Sequence, residues 1–197
     1  MPAALKIIRK SSFAALPWKN GGGISHEAIR VPAGGDSFLW RVSVARIDSS
    51  GPFSDFAGYS RTMVLLRGQG LTLKFGNGDE RALRNIGDSV EFDGAMPTHC
   101  ELFDGPCVDL NFMVSKALHA DARILHLDMS VTLPAALECA LIFSVEVPLL
   151  LDGEAGEPVT LEPWDLAVVS QGTTRLSRIE TGQPSVPSAV FFATISH

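Results

Sequence analysis

Nothing in this sequence is long and apolar enough to cross a bilayer, which takes a run of roughly 20 residues. The longest candidate, Ala140 to Leu151, is broken by Glu146 and Pro148 and reads as a buried strand. Positive charge is scarce too: 16 Lys and Arg stand against 22 Asp and Glu, a net charge of −6. That balance argues against non-specific binding to DNA or RNA, which relies on cations at phosphates. The opening stretch MPAALKIIRKSSF has basic residues but neither a continuous apolar core nor a clear cleavage site, so it does not read as a signal peptide. Cysteines number only three, Cys100, Cys107 and Cys139, with no repeated spacing. An odd set without pattern is no disulfide framework, and free thiols in a reducing compartment are the reading, although Cys100 and Cys107 can pair if their strands are adjacent. No membrane span, no nucleic-acid partner and a cytoplasmic location are therefore expected.

Long helical patterns are also missing. With 46% hydrophobic and 19% charged residues, the 197-residue chain has the composition of a globular protein of one large or two small domains. Short segments rich in Val, Leu, Ile and Phe recur about every 8–12 residues between Gly, Pro, Asn and Asp turns, the all-β signature. They are Phe38–Arg46, Arg61–Leu66, Leu71–Phe75, Ser89–Phe92, Cys107–Val114, Ile124–Leu133, Leu141–Val147, Pro158–Leu161, Leu166–Ser170, Thr174–Ile179 and Ala189–Ile195. Gly76-Asn77-Gly78-Asp79 predicts a hairpin, since Gly and Asn tolerate the positive φ of primed turns. Short helices are expected only at Lys116–Arg123 and Pro134–Leu137. A faint internal echo links the stretch Leu83 to Phe92 with Leu161 to Val169: in each, a turn ending in Asp (Asp88, Asp165) leads into a β-branched strand. That plan recurs in cupin barrels, and with one copy late in each half it predicts two tandem barrels joined near residues 116–123.

The densest polar segment is Pro17-Trp18-Lys19-Asn20-Gly21-Gly22-Gly23-Ile24-Ser25-His26-Glu27. Consecutive glycines let backbone amides approach a ligand closely, and Lys19 and Asn20 add a positive charge and an amide, a set suited to a carboxylate or phosphate. A flexible loop with incidental polar neighbours is the alternative. It is not a nucleotide P-loop, because the Lys precedes the glycines. In WRVSVA, strand alternation puts Arg41, Ser43 and Ala45 on one face and Trp40, Val42 and Val44 on the other. In VDLNFMV, Asp109, Asn111 and Met113 likewise oppose Val108, Leu110, Phe112 and Val114. The polar faces fit either solvent or the lining of a polar cavity. Between these strands GPFSDFAGYSR is an aromatic loop, its phenylalanines reading as anchors, that ends in Arg61, whose guanidinium matches a carboxylate with two parallel hydrogen bonds.

The order PWKNGGG, Glu27, WRVSVA, GPFSDFAGYSR and DLNFM resembles the HutD/Ves family of bacterial proteins over most of residues 17–115. The C-terminal half matches only in strand character. The resemblance implies an all-β fold of two tandem double-stranded β-helix (cupin) barrels, a bicupin. Residues 1–118 would hold the candidate pocket, and 119–197 would be mainly structural. It also implies a link to histidine-utilisation genes. A metal cupin carries a His-X-His pair where this chain has Gly58-Tyr59-Ser60-Arg61, and a later histidine for which His99 is one residue out of place. A lone histidine is a poor transition-metal site, so no metal and no cofactor are expected.

The expected function is binding of a small carboxylate by Lys19, Asn20, Glu27, Arg41, Ser43, Arg61, His99 and Asn111, with Glu27 and Asp109 holding the cations in place. A histidine-catabolism intermediate such as formylglutamate or urocanate, bound in a sensing or regulatory role, is the leading reading. The alternatives are a metal-free isomerase or hydrolase acting on such an acid, with His99 or Glu27 as base, and a protein-interaction scaffold. No Ser-His-Asp order or nucleophile motif supports the enzyme. Edge strands and an apolar face in the C-terminal half fit a homodimer.

Overall fold

A computed structural model describes residues 4–18, 23–34, 37–127, 130–133, 138–153, 157–170, 174–178 and 188–197. These form nineteen strands and one 3₁₀ turn, Lys10–Ser12, so the fold is all-β as expected. Among the described residues no helix is long and apolar enough to cross a membrane. The chain divides into two units, one of Phe13–Leu118 and the other of Met1–Ser12 with His119–His197.

Strand β1 (Ala4–Ile8) belongs to the second unit. The first unit contains β2 (Ala14–Pro17), β3 (Gly23–Val31), β4 (Trp40–Ile47), β5 (Gly51–Pro52), β6 (Tyr59–Arg67), β7 (Leu71–Phe75), β8 (Glu80–Leu83), β9 (Ser89–Asp93), β10 (Thr98–Leu102) and β11 (Cys107–Ser115). All pairings are antiparallel, in a large sheet ordered β2-β3-β4-β11-β6-β9 and a small one ordered β5-β10-β7-β8. Ile47, Met63 and Leu65 of the large sheet share one core cluster with Leu71, Leu73, Leu83 and Cys100 of the small sheet, so the two sheets face each other. The predicted hairpin joins β7 to β8 in the register Lys74↔Glu80, with Gly78 at φ 91°. Cys100 and Cys107 are buried as free thiols in different sheets, and Cys139 is free as well.

The second unit contains β12 (His119–Leu127), β13 (Ser130–Leu133), β14 (Cys139–Ser144), β15 (Leu149–Gly153), β16 (Val159–Leu161), β17 (Leu166–Ser170), β18 (Thr174–Arg178) and β19 (Ser188–Ser196). Its sheets are ordered β13-β18-β15-β16 and β1-β17-β14-β19-β12. Strand for strand, β12 to β19 repeat the neighbour relations of β4 to β11. The echo in the sequence is one expression of this. In both turns the Asp amide donates to the carbonyl three residues earlier, Asp88 to Asn85 and Asp165 to Glu162, each at 2.9 Å. The Asp carboxylate in turn accepts that residue's amide, at 2.9 Å and 3.2 Å.

Four expectations need correction. Lys116–Arg123 is not a helix: β12 begins at His119 and pairs with β19 over nine residues, which satisfies its backbone in a sheet. Ile124–Leu133 is not one strand, because β12 and β13 lie in different sheets. The apolar stretch Ala140 to Leu151 likewise splits, at Val145–Pro148, into β14 and β15. Finally, the boundary at residue 118 separates the units, but residues 1–12 go with the C-terminal one, since β1 pairs with β17 from Ala4↔Ser170 to Ile8↔Leu166. The segment Pro134–Leu137 lies outside the described residues.

Asp165 fastens that N-terminal segment. Its buried carboxylate accepts the Arg9 guanidinium at 2.7 Å, the Lys10 amide at 2.8 Å and the Glu162 amide at 3.2 Å. Removing an acceptor that leaves buried donors unmet costs about 1–3 kcal/mol. Asp165→Ala is therefore expected to lower the thermal midpoint by roughly 2–12 °C, the shift expected at this chain length. An unchanged midpoint in a melting scan would show that the clasp contributes nothing.

Candidate functional site

The register of the large sheet brings the polar faces of its strands together. Across β4, β11 and β6 the rungs read Arg41–Met113–Arg61, Ser43–Asn111–Met63 and Ala45–Asp109–Leu65. Because side chains alternate, all nine face the small sheet, while Trp40, Val42, Val44, Leu110 and Phe112 face the other way and are buried there. The two polar faces thus line the interior. A cavity of about 490 Å³ opens between the sheets, walled by Arg41, Ser43, Arg61, Asp109, Asn111 and Met113, with Trp18, Ser25, Phe53 and Phe56 around them.

Arg41 is held by Glu27, whose Oε2 accepts its Nε at 2.6 Å. The same oxygen accepts two donors from Arg30, at 3.2 and 3.0 Å. Three residues apart on a regular strand, Glu27 and Arg30 would point to opposite faces. A bulge between Glu27 and Ile29 inserts Ala28 and turns Arg30 back to the face of Glu27, opposite Arg41.

Arg61 has no such carboxylate. Only 4% exposed, it lies over the rings of Phe53, Phe56 and Phe92, with its guanidinium carbon 5.3, 5.3 and 4.9 Å from their centroids. Cation–π attraction replaces part of the lost hydration. Among the described residues its one polar contact is Nη1 to the Ser54 carbonyl at 3.4 Å, and its Nε has no partner. Burial lowers its pKa to about 10, with Asp109 opposing and Arg41 adding to the shift, so it is a cation at neutral pH. Asp109, 2% exposed, makes no direct ion pair with Arg61 among the described residues. Burial pushes its carboxyl up to about 7, against the pull of Arg61 and of its own backbone amide. Asn111 Oδ1 is also buried without a donor.

Two glycines shape the rim. A Cβ on Gly23 would run into the Arg46 carbonyl and the Trp18 ring, so only glycine lets β3 start here. The Trp18 amide bonds the Gly23 carbonyl at 3.0 Å, and the indole Nε1 donates to Ser25 Oγ at 2.8 Å. A Cβ on Gly94 would meet the Phe56 and Tyr59 carbonyls, where the loop carrying Phe53 and Phe56 is pinned by bonds of 2.9 and 2.8 Å.

Of the residues singled out from sequence, Arg41, Ser43, Arg61 and Asn111 come together in the cavity, and Glu27 stands behind Arg41. Lys19 and Asn20 lie outside the described residues. His99 does not belong to the cavity: it is exposed on β10, while its neighbours Thr98 and Cys100 are buried, as strand alternation requires. Sequence reasoning placed Asp109 beside the cations but missed Trp18 as a lining residue and the phenylalanines as a cage. The signal was there, in two phenylalanines three residues apart shortly before an arginine. Among the described residues no three His, Cys, Asp or Glu side chains are grouped to hold a metal ion.

The HutD family model matches residues 10–184. The chain belongs to the HutD family. A Pseudomonas putida protein, named as an uncharacterized 21.2 kDa protein in the hutC 3′ region, is 34% identical over 141 residues, 71% of this chain and 73% of that one. The solved structure of HutD from Pseudomonas fluorescens SBW25 superposes with a TM-score of 0.80 at 27% identity, covering 98% of this chain and all (100%) of that one. A conserved protein of unknown function from Pseudomonas aeruginosa PAO1 superposes with a TM-score of 0.87 at 28% identity, again over 98% and 100% of the two chains. Oxalate decarboxylase of Bacillus subtilis, at 7% identity and a TM-score of 0.65 over 96% and 76% of the chains, shares the cupin-like fold alone.

In this HutD-family chain Asp109 makes stability depend on pH. Its carboxyl titrates near 7 when folded, against an ordinary value of 3.8. Between these values the folded state keeps a proton that the unfolded state has lost, so this group's contribution falls as pH rises from about 4 to about 7 and then levels off. Asp109→Asn should remove that slope. Melting scans of both proteins across this range test it, and a pH-independent difference between them would refute it.

Proposed function

We propose that the cavity of the N-terminal unit binds a small anionic metabolite, and that the protein senses or limits this metabolite in the cytoplasm. The observation that carries the reading is Arg61: a buried cation on the cavity wall, caged by three rings and, among the described residues, without a carboxylate partner and with an unpartnered Nε. A buried charge without a counter-charge is costly, and a ligand carboxylate supplies one. Asn111 Oδ1, which lacks a donor, favours a ligand that also carries an N–H or O–H group. The cavity volume, about 490 Å³, is in the range of small-molecule sites.

Formylglutamate and urocanate meet these demands, one with an amide N–H and the other with a ring N–H. The naming of the Pseudomonas putida relative for the hutC region supports a ligand from histidine catabolism. One observation favours a second reading, acid catalysis on such an acid: Asp109 retains a proton near neutrality on the same cavity wall as Arg61. NMR of the ligand after prolonged incubation separates the two, since unchanged ligand excludes catalysis.

A thermal-shift screen against formylglutamate, urocanate and glutamate is the direct test. At about 100 times its Kd, a ligand specific for the folded state adds about 2.7 kcal/mol of stability. Arg61→Ala is expected to abolish the response while leaving the melting midpoint of the free protein within a few degrees. A response that survives this substitution removes Arg61 from the site, and a flat response to every acid refutes the reading.

A further inference from the structure

Arg61 and Asp109 occupy opposite ends of the same interior face. Asp109 is four residues along β11 from Met113, the residue opposite Arg61, a separation of roughly 13 Å along the strand. The rung between them holds Asn111 and Ser43. An anion on Arg61 that also reaches Asn111 therefore lies between the guanidinium and the Asp109 carboxyl. Two like charges confined in such a space cannot both stay ionised cheaply.

We infer that Asp109 is a proton-linked specificity residue of this cavity: the entering anion replaces the Asp109 carboxylate as counter-charge to Arg61, and Asp109 takes up one proton from solvent as the anion seats. The inference rests on the anion-binding reading of the cavity. The protonated carboxyl then presents an O–H donor where the ionised one offers only acceptors, so the end of the ligand facing Asp109 is a neutral acceptor such as a carbonyl.

The surroundings of Asp109 isolate this exchange. From β6 it faces Arg61, while Arg41 of β4, on the same cavity wall, is already engaged by Glu27 of β3. From β10 comes the Cys100 thiol, pushed up to about 12 by burial, and on β11 itself the Cys107 thiol, also raised by burial. Both thiols are neutral at physiological pH. Arg61 is thus the one cation facing Asp109, among the described residues, that no carboxylate engages directly.

Isothermal titration calorimetry with N-formyl-L-glutamate, between pH 6 and 9, tests the linkage. Both carboxylates of this probe titrate near 4, so the probe itself exchanges no proton in the range. Wild type should bind with an association constant that falls about tenfold per pH unit above 7 and levels off below it. At pH 8, heats measured in phosphate and in Tris should report uptake of close to one proton per anion. Asp109→Asn, which mimics the protonated form, should bind at pH 8 about tenfold more tightly than wild type, with a flat pH profile. Saturable binding without pH dependence or proton uptake would overturn the inference and leave the anion reading standing. Absence of saturable binding at every pH would overturn both. If Asp109→Asn does not fold, the buffer dependence of the wild-type heats still decides.

Discussion

A guanidinium cut off from water must be compensated, and the interior of the N-terminal unit is arranged around two of them in different ways. Arg41 has Glu27, brought within reach across neighbouring strands, and a bulge in β3 recruits Arg30 to the same carboxylate oxygen. Arg61 has three aromatic faces and a distant carboxyl. The first arrangement is closed, because its charges cancel locally. The second is open, and the cavity occupies the space where its counter-charge would be. Sheet order, the glycines of the rim and the loop of phenylalanines all serve to keep that second cation dry and reachable.

Alternation makes much of this legible in the sequence. Two strands with polar residues at every second position, WRVSVA and VDLNFM, share one inward face because β4 and β11 are direct neighbours. Which of the two readings applied, solvent or cavity, depended on whether a second sheet covers that face, and this is a long-range fact that no local pattern carries. The bulge at Ala28 was equally hidden, since one extra residue leaves composition and periodicity almost unchanged. His99 was misplaced because the sequence count did not fix which face of β10 it takes, whereas buried Thr98 and Cys100 on either side send it outward. The start of β12, His119-Ala120-Asp121-Ala122-Arg123, does alternate with a period of two, but its second face is alanine, whose helix propensity masks the strand signal.

The two units share a strand plan but not an interior. Where the first has arginines, asparagine and aspartate facing inward, the core of the second collects Ala140, Ile142, Val190 and Phe192 with leucines from the facing sheet. One architecture has therefore been filled in two ways: an apolar core that stabilises by burial, and a polar chamber that sacrifices burial for chemistry. The turns Asn85–Asp88 and Glu162–Asp165 retain the same backbone bonds in both, which fits a role in chain reversal independent of what the unit encloses.

The place of β1 bears on how the molecule is made. Ala4–Ile8 precede the N-terminal unit in the chain, yet their partner strand, Leu166–Ser170, follows it. The N-terminal unit, complete by Leu118, can fold on the ribosome while β1 waits unpaired. The sheet of the second unit is then completed only when β1 pairs with β17, and until it does β17 exposes an open edge to neighbouring nascent chains.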